Sequence, residues 1–212
     1  MFINVSDESI TVNNKWERAE LAQIEEISMY PVALIGDVLQ RLGMMASVIR
    51  HVAGKATFFG TVLPILTWEG DNLAIHRALD DAQPGDVLVI NGNGEINRAL
   101  FGDLLGEVCL ARKVAAVVID GAVRDIQELD AMGLPTYARA VNPAGPSKYG
   151  PGQVGFPVAC GHIVCNPGDA IFGDRDGIIV IDRRLVSSLA AKLKLQDDVE
   201  NNFRARVRAS LG

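Results

Sequence analysis

The sequence predicts an α/β protein with helices near its N-terminus and one long helix at its C-terminus. Two short apolar runs, residues 87–90 and 114–120, are typical of buried strands. Between them, residues 104–111 carry apolar side chains at helical spacing. Strands that alternate with helices in this way are the pattern that defines the α/β class.

The N-terminal part of the chain is predicted to contain two helices. Residues 16–28 have leucine and isoleucine at helical spacing. The second helix begins at Pro31, because proline is favoured at the first helical position, and Gly43 is expected to end it. Both helices precede the first β-rich stretch, residues 56–68.

The middle of the chain predicts a succession of short elements. The Pro-Gly-Asp at 84–86 is a turn signal, and Gly133 is expected to end the last helix of this region. In chain order, the elements are a helix over 72–80, a strand over 87–90, a helix over 104–111, a strand over 114–120 and a helix over 124–132.

The second half of the chain changes character at residues 141–157, which are rich in glycine and proline and predict a long loop. Short strands follow over 157–165, 169–173 and 177–182. The chain closes with a helix over about 183–209, whose apolar side runs well past the last strand. Because a projecting amphipathic helix needs a partner to cover it, we expect an oligomer with this helix as a contact.

Composition narrows the class of protein. The 212 residues are 49% apolar and 22% charged, which suits one globular domain over 1–212 with a sizeable core. The net charge of −6 argues against nucleic-acid binding. No apolar run reaches transmembrane length and no leader pattern begins the chain, so we expect no membrane association and a cytoplasmic protein. Three cysteines and three histidines give little basis for a disulfide framework or a zinc site.

A candidate anion site lies at the start of the predicted helix 104–111. Asp103 falls in the first turn, where an acidic residue commonly does no more than complement the helix dipole. The backbone amides of Leu104 and Leu105 have no helical partner there and would suit a carboxylate or a phosphate. On these residues alone, both interpretations stay open.

A second candidate is Arg124-Asp125, which follows the strand expected to end at Asp120 and is separated from Asp103 by twenty residues. One interpretation is a surface ion pair that caps a helix. The other is functional, because the planar fork of arginine suits a carboxylate and a single carboxylate with waters can hold magnesium. Loops at the carboxyl ends of neighbouring strands are also where open α/β sheets bind ligands.

Other candidate residues are weaker. Gly92-Asn93-Gly94 follows a strand, but the third glycine of a dinucleotide-binding loop is absent. His76 is expected to be a packed or capping residue rather than a base. Lys148, in the glycine- and proline-rich stretch, is either solvated or a cation for a second carboxylate.

Several of these stretches together resemble the 4-hydroxy-4-methyl-2-oxoglutarate aldolases and their relatives, the regulator of ribonuclease activity A group. The resemblance covers about residues 30–185 and includes PVALIGDVLQRLG, PGDVLVING, GDLLGEV, VVIDGAVRD and PGDAIFGDRDGIIVI. The aldolase signature is an aspartate, twenty residues and then Arg-Asp, which Asp103 and Arg124-Asp125 match. The resemblance implies a swivelling-domain-like β/β/α sandwich that assembles as trimers or hexamers.

The resemblance also implies a metal-dependent, class II aldolase. Such an enzyme releases pyruvate from a 4-hydroxy-2-oxo acid and often decarboxylates oxaloacetate. By position, Asp125 would hold Mg²⁺ or Mn²⁺. An acid from the C-terminal helix of a neighbouring subunit would reach the metal at a subunit interface, and Glu200 is the candidate in this chain.

The same resemblance implies the contacts to the small 2-oxo acid. Arg124 would bind its carboxylate or carbonyl end, and Asp103 would orient Arg124. The amides of Leu104 and Leu105 would help to hold the acid.

Two alternatives to this aldolase stay open. One is a non-catalytic regulator that binds a ribonuclease or helicase, but relatives with that name generally lack the Arg-Asp pair that this chain keeps. The other is an enzyme of the same fold that acts on a different oxo acid. The sequence does not separate that enzyme from the first, because the far end of the pocket is expected to come from residues 141–157 and a neighbouring subunit.

Overall fold

The computed structural model describes residues 6–211. Within them, the chain forms twelve β-strands and six α-helices. In chain order these are β1 (Ile10–Val12), α1 (Leu21–Ile27), α2 (Val32–Val38), β2 (Arg50–Ala53), β3 (Phe58–Thr67), α3 (Leu73–Asp81), β4 (Asp86–Asn91), β5 (Ala99–Phe101), α4 (Asp103–Ala111), β6 (Ala116–Val123), α5 (Ile126–Met132), β7 (Thr136–Val141), β8 (Gly152–Val154), β9 (Val158–Cys160), β10 (Ile163–Cys165), β11 (Ala170–Asp174), β12 (Gly177–Ile181) and α6 (Val186–Leu211).

One sheet of ten strands organises the fold. Its central strands β3, β4, β6 and β7 are neighbours and run parallel to one another. The helices α3, α4 and α5 lie in the connections between them, as parallel pairing requires. Because parallel strands end at the same edge of a sheet, the residues that follow β3, β4 and β6 come together there.

The sheet is covered by helices on one face and by β-structure on the other. On the first face, α3, α4 and α5 pack against strand side chains that include Leu88 and Val117. On the opposite face, the hairpin β9–β10 and strands β11 and β12 cover the neighbouring positions Val87 and Val118. Adjacent strand residues thus serve opposite faces, as the pleat requires. This layering confirms the predicted α/β class and the β/β/α sandwich.

A third apolar cluster joins α1, α2 and the first half of α6 to β11 and β12. Ile24, Leu189 and Leu193 are at most 2% exposed within it. The second half of α6 carries apolar side chains that remain open, since Val199 is 56% and Phe203 59% exposed. The expected long C-terminal helix is present, and its role as an oligomer contact stays a prediction.

Two element boundaries differ from the sequence prediction in ways that matter for the site. The strand expected to end at Asp120 continues to Val123, because β6 keeps pairing with β5 and β7 beyond an irregularity after Ile119. The stretch 157–165 is a hairpin rather than one strand, because left-handed backbone at Gly161 and His162 turns the chain.

The remaining differences are strands missed by the sequence and the bounds of the first two helices, of which the second ends at Val38 rather than at Gly43. The stretch 141–157 contains β8, and the sequence did not predict β1, β2, β5 or β7. The first helix begins at Leu21 rather than at residue 16. Three of these strands have only three or four residues, and all four pair with partners distant in sequence, so local patterns do not reveal them.

No helix within residues 6–211 combines the length and the apolar character needed to cross a lipid bilayer. Residues 1–5 and 212 belong to the predicted domain 1–212, but they lie outside the described residues. The expectation that no leader segment begins the chain therefore stays a sequence prediction.

Candidate functional site

The candidate site forms where β5 and β6 end side by side. These strands are parallel, with Phe101 opposite Val123, and the N–H of Arg124 donates to the Phe101 carbonyl at 2.9 Å. Asp103 then opens α4, and Asp125 is the residue before α5. The pairing of β5 with β6 thus brings Asp103 next to Arg124-Asp125, although twenty residues separate them in sequence.

Asp125 has an unusual backbone and a half-engaged side chain. Its φ of 54° and ψ of 41° place it in the left-handed region, which non-glycine residues occupy uncommonly. Its Oδ2 accepts the Asp103 N–H at 3.3 Å and the Arg124 Nε–H at 3.1 Å. No hydrogen bond from residues 6–211 engages Oδ1, so half of this carboxylate is available to a ligand.

Gly102 makes the position of this carboxylate possible. A Cβ added at Gly102 would lie 2.4 Å from Oδ2 of Asp125 and 3.0 Å from Cγ of Arg124. Any side chain at this position would displace one or both of those groups. Glycine is therefore required here by close approach, not by backbone conformation.

Arg124 extends from this carboxylate toward the glycine- and proline-rich stretch. Its Nη1 is 3.1 Å from the place where a Cβ of Gly145 would lie. The side chain is 37% exposed, and its ion pair with Asp125 involves only Nε. Because that contact is not the bidentate one that arginine can make, the guanidinium retains donors for an anion.

The start of α4 differs in one respect from the expectation of two free amides. The Asp103 carboxylate accepts the N–H of Leu104 at 2.7 Å, so that amide is engaged within its own turn. The expectation is therefore wrong for Leu104 in this structure. The N–H of Leu105 lies in the first turn, where an α-helix offers no partner. Asp103 contacts Asp125 through its backbone rather than orienting Arg124 through its carboxylate.

A cavity of about 130 Å³ adjoins Asp103 and Arg124, whereas Asp125 lies behind them and is not among its lining residues. It brings Asp103, Leu104, Leu105, Arg124 and Lys148 together, and their roles toward a substrate stay a prediction. Its complete lining is Asn72, His76, Ala99, Leu100, Phe101, Gly102, Asp103, Leu104, Leu105, Arg124, Pro146 and Lys148.

Glu200 is not part of this cavity. It lies on α6, where it forms an ion pair with Arg204 at 2.6 Å. Within residues 6–211, its hydrogen bonds are to Gln196 and Arg204 on the same helix, and none is to Asp125. Its contribution from a neighbouring copy stays a prediction.

Two lining residues, Asn72 and His76, were missed by the sequence reasoning. They are 4% and 8% exposed, and Oδ1 of Asn72 and Nδ1 of His76 are buried without a hydrogen-bond partner in the structure. Burial, reinforced by the charge of Lys148, lowers the pKa of His76 from 6.5 to about 4. Asn72 and His76 are four residues apart in the helix that follows the β-rich stretch 56–68, and residues at that spacing share one side of a helix. This spacing was the signal in the sequence that could have identified them.

Asp71 ties the glycine- and proline-rich stretch to this edge of the sheet. Its buried carboxylate accepts the Ser147 hydroxyl at 2.8 Å, the Tyr149 N–H at 2.6 Å and the Leu73 N–H at 2.9 Å. Burial alone would raise the pKa of Asp71, but these hydrogen bonds outweigh it and lower the pKa. Lys148, between two of the tethered residues, is thereby held beside the cavity.

The acidic side chains near this edge of the sheet offer few ligands to a divalent metal. Residues 6–211 contain no group of three histidine, cysteine or acidic side chains that could enclose an ion. Asp125 nevertheless offers one free carboxylate oxygen, and Mg²⁺ is commonly held by one or two carboxylates and several waters. The residues present therefore fit a hydrated Mg²⁺ or Mn²⁺ rather than a tightly ligated zinc.

A larger cavity of about 870 Å³ lies at the amino ends of the parallel strands. Its wall is largely apolar and includes Met29, Phe58, Phe59 and Phe172. It contains no arrangement comparable to the Arg124–Asp125 pair. We therefore place the candidate site at the smaller cavity, because Arg124 and Lys148 line it.

The fold of this chain is shared by solved proteins of the RraA fold. RraAS2 of Streptomyces coelicolor, described as an unusual member of the RNase ES inhibitor RraA family, matches with a TM-score of 0.79 at 23% identity, over 89% of this chain and all of that chain. The chain belongs to the RraA-like family, since the family model described as Aldolase/RraA matches residues 5–180.

Relatives in this family carry two kinds of name. A protein of Halalkalibacterium halodurans, provisionally named 4-hydroxy-4-methyl-2-oxoglutarate aldolase, is 34% identical over 89% of this chain and 90% of its own length. The RNA-processing inhibitor RraA from Thermus thermophilis matches with a TM-score of 0.67 at 28% identity, over 72% of this chain and 92% of that chain. The family alone therefore does not decide between enzyme and regulator.

Proposed function

We propose that this protein is a class II aldolase. It cleaves 4-hydroxy-4-methyl-2-oxoglutarate, or a related 4-hydroxy-2-oxo acid, to pyruvate, and it also decarboxylates oxaloacetate. The observation that carries the proposal is the half-engaged carboxylate of Asp125 beside the monodentate Arg124, at an edge where Gly102 leaves room for both. The aldolase name of the Halalkalibacterium halodurans relative supports the same reaction class.

The substrate's 2-oxo acid end is assigned to the start of α4 and to Arg124. The guanidinium donors that Asp125 does not use bind the substrate carboxylate, because arginine's planar fork matches that group. The N–H of Leu105 supplies a further donor from the helix start. The N–H of Leu104 joins it when the Asp103 carboxylate turns from its own helix toward solvent or substrate.

Asp125 is the residue that would hold Mg²⁺ or Mn²⁺, through the oxygen left free by its two internal hydrogen bonds. A divalent metal supplies a Lewis acid that polarises the substrate's oxo group. Glu200 of the partner subunit is proposed to reach the same region in a trimer or hexamer. The open apolar side chains Val199 and Phe203, next to it on α6, support burial of this segment against another copy.

In the proposed cleavage, the bond between carbons 3 and 4 of the substrate breaks. Its electron pair passes to the pyruvate half as an enolate, and the 4-hydroxyl loses its proton as the second carbonyl product forms. A proton from water then completes the methyl group of pyruvate. Decarboxylation of oxaloacetate releases carbon dioxide instead and leaves the same pyruvate enolate, so one site serves both reactions.

Lys148 is assigned to the second carboxylate of the substrate. It lines the same cavity as Arg124, and Asp71 holds its neighbours Ser147 and Tyr149 in place. A cation held at that position favours substrates with two carboxylates over those with one. The net charge of −6 supports a small-molecule partner rather than nucleic acid, and we place the protein in the cytoplasm.

A non-catalytic regulator is the less favoured alternative. A surface that only binds a ribonuclease or helicase has no need for an aspartate with one unused oxygen in left-handed backbone. The two functions differ in outcome, because a regulator would capture such a partner in a pull-down and release no pyruvate. The aldolase releases pyruvate without a protein partner.

The test is pyruvate release by the purified full chain from 4-hydroxy-4-methyl-2-oxoglutarate and from oxaloacetate. We expect turnover with Mg²⁺, loss of turnover on complete chelation with EDTA, and recovery when Mn²⁺ is added in excess. Turnover that survives chelation would exclude the metal role. Absence of turnover on both substrates with either metal would exclude the lyase.

A further inference from the structure

Two buried polar atoms in the wall of the cavity lack a partner. Within residues 6–211, three buried side-chain nitrogen or oxygen atoms have no hydrogen bond, and two of them, Oδ1 of Asn72 and Nδ1 of His76, belong to residues that line this one cavity. Leaving such atoms unpaired is unfavourable, so a pair of them in one place indicates a missing partner.

The orientation of Asn72 is fixed by its other contact. Its Nδ2–H donates to the Leu100 carbonyl at 3.0 Å, and only the amide nitrogen can make that bond. The remaining atom, Oδ1, is therefore an acceptor that needs a donor. The N–H of His76 donates to the Asn72 carbonyl at 3.2 Å, so the first turn of α3 places both residues on the same side.

The chemistry of these atoms selects one kind of ligand group. A carboxylate has no hydrogen to give to Oδ1 of Asn72. A hydroxyl group donates one hydrogen and accepts others, so it can donate to Oδ1 of Asn72 and accept from Nδ1 of His76 in the tautomer that carries its hydrogen there. The burial of His76 keeps its ring neutral near neutral pH, so it offers a hydrogen bond rather than a charge.

We propose that Asn72 and His76 form a subsite that binds the hydroxyl on carbon 4 of the substrate. The inference rests on the proposed aldolase function and assigns a specificity role that the Arg124 and Lys148 contacts do not supply. In the cavity, this pair lies with Arg124, assigned to the 2-oxo acid end, and Lys148, assigned to the second carboxylate. The Lys148 charge acts on His76, so the pair is close to the group assigned to the second carboxylate, as a substrate with its hydroxyl next to that carboxylate requires.

The subsite has a consequence for the two proposed reactions. The keto form of oxaloacetate carries no hydroxyl, whereas every 4-hydroxy-2-oxo acid does. The pair should therefore favour aldol cleavage over decarboxylation. A water molecule could also satisfy both atoms, but then the preference between the two substrates would not depend on them.

The experiment measures kcat/KM for both reactions with Mg²⁺ in the wild type, Asn72→Ala, His76→Leu and His76→Gln. We expect the ratio of cleavage to decarboxylation to fall about tenfold in Asn72→Ala and His76→Leu, because one hydrogen bond to the hydroxyl is lost. His76→Gln retains a polar group of similar reach and should recover part of the ratio. His51→Leu is the matched control, since His51 lies outside the cavity and should leave the ratio unchanged.

Thermal unfolding of the metal-free variants gives a second readout. Removal of an unpaired buried atom in His76→Leu should leave the unfolding midpoint unchanged or raise it, whereas a packing role predicts a fall. An unaltered ratio in Asn72→Ala and His76→Leu would overturn the subsite, whether both reactions slowed equally or neither did. A wild type inactive on both substrates would instead refute the aldolase, and the subsite with it.

Discussion

Two arginine–aspartate pairs lie on or next to β6, and they differ in how much hydrogen-bonding capacity they use. Asp120 accepts Nε and Nη2 of Arg139 at one oxygen, each at 2.6 Å, and the N–H of Gly161 at the other, at 3.1 Å. Asp125 directs both of its hydrogen bonds to one oxygen and leaves the other free. The first pair is also the more buried, with side chains 12% and 26% exposed against 31% and 37%.

The comparison shows that the type of residue does not identify the functional pair. Both pairs contain the same two side chains at the same edge of the sheet. What distinguishes Asp125 is its left-handed backbone, the glycine against its carboxylate and the unused oxygen. Asp120 links β6 to β7 and to the β9–β10 hairpin. Both of its carboxylate oxygens already accept hydrogen bonds, so neither is free for a ligand.

The same substitution in both pairs should have opposite consequences for activity and for stability. Asp125→Asn should lower kcat for pyruvate release by about 1,000-fold, because it removes a group that acts on the reacting centre. Asp120→Asn should instead lower the free energy of unfolding by about 2 kcal/mol through its hydrogen bonds to a charged partner. Steady-state kinetics and urea unfolding of both variants measure this. Equal losses of activity would show that the two pairs are not different in kind.

Gly102→Ala tests whether room for the Asp125 carboxylate matters. The added Cβ would lie 2.4 Å from Oδ2, so the carboxylate or Arg124 must move. Displacement of about 1 Å at a reacting centre can reduce the rate by roughly 100-fold, and we expect a loss of that size in kcat/KM. Gly133→Ala is the control, since its Cβ meets open space, although its φ of 69° makes the variant less stable. A fully active Gly102→Ala would contradict the proposed close packing.

Arginine-to-lysine substitutions should also affect the two pairs differently. Arg124→Lys keeps the charge but loses the planar fork, so KM should rise about tenfold for loss of a charged hydrogen bond. Arg139→Lys should leave kcat/KM within about twofold and lower the free energy of unfolding by about 1 kcal/mol. Kinetics with both substrates and denaturant unfolding distinguish these results. An unchanged KM in Arg124→Lys would remove the substrate-binding role.

The smallest expected effect concerns pH. The pKa of His76 is lowered from 6.5 to about 4, first by burial and then by Lys148, against opposing contributions from Asp71 and Asp80. The unfolded chain then binds more protons than the folded one between these values, so stability should fall as the pH falls from 6.5 to about 4. His76→Gln should remove a contribution on the order of 1 kcal/mol from that decline. Urea titrations of both proteins at pH 7 and pH 4.5 would show it; parallel declines would mean that His76 titrates normally.

The sequence predicted the parallel centre of the fold because its strands are continuous apolar runs. The runs 87–90 and 114–120 lie within β4 or overlap β6, and the helical spacing at 104–111 corresponds to α4. The sequence did not predict β5, although the site depends on it. This three-residue strand exists only because it pairs with the end of β6, and no local pattern marks such pairing.

The candidate residues were predicted better than their arrangement. Asp103, Arg124 and Lys148 do line one cavity, but the sequence does not show that Leu104 donates to Asp103. The sequence also does not show which polar atoms remain unpaired once a residue is buried. For that reason His76 was expected to be packed, and Asn72 was overlooked, although both prove to line the cavity.

The contact between Asp71 and Tyr149 has a consequence for dynamics. The Tyr149 side chain is 83% exposed, yet its amide hydrogen is held by a buried carboxylate at 2.6 Å. In native-state hydrogen exchange, this amide should exchange as slowly as one inside a strand, because it is released only when the stretch around it detaches from Asp71. Lys148, the residue before it, leaves the cavity in the same event. The hydrogen-exchange rate of the Tyr149 amide therefore reports how often the site opens.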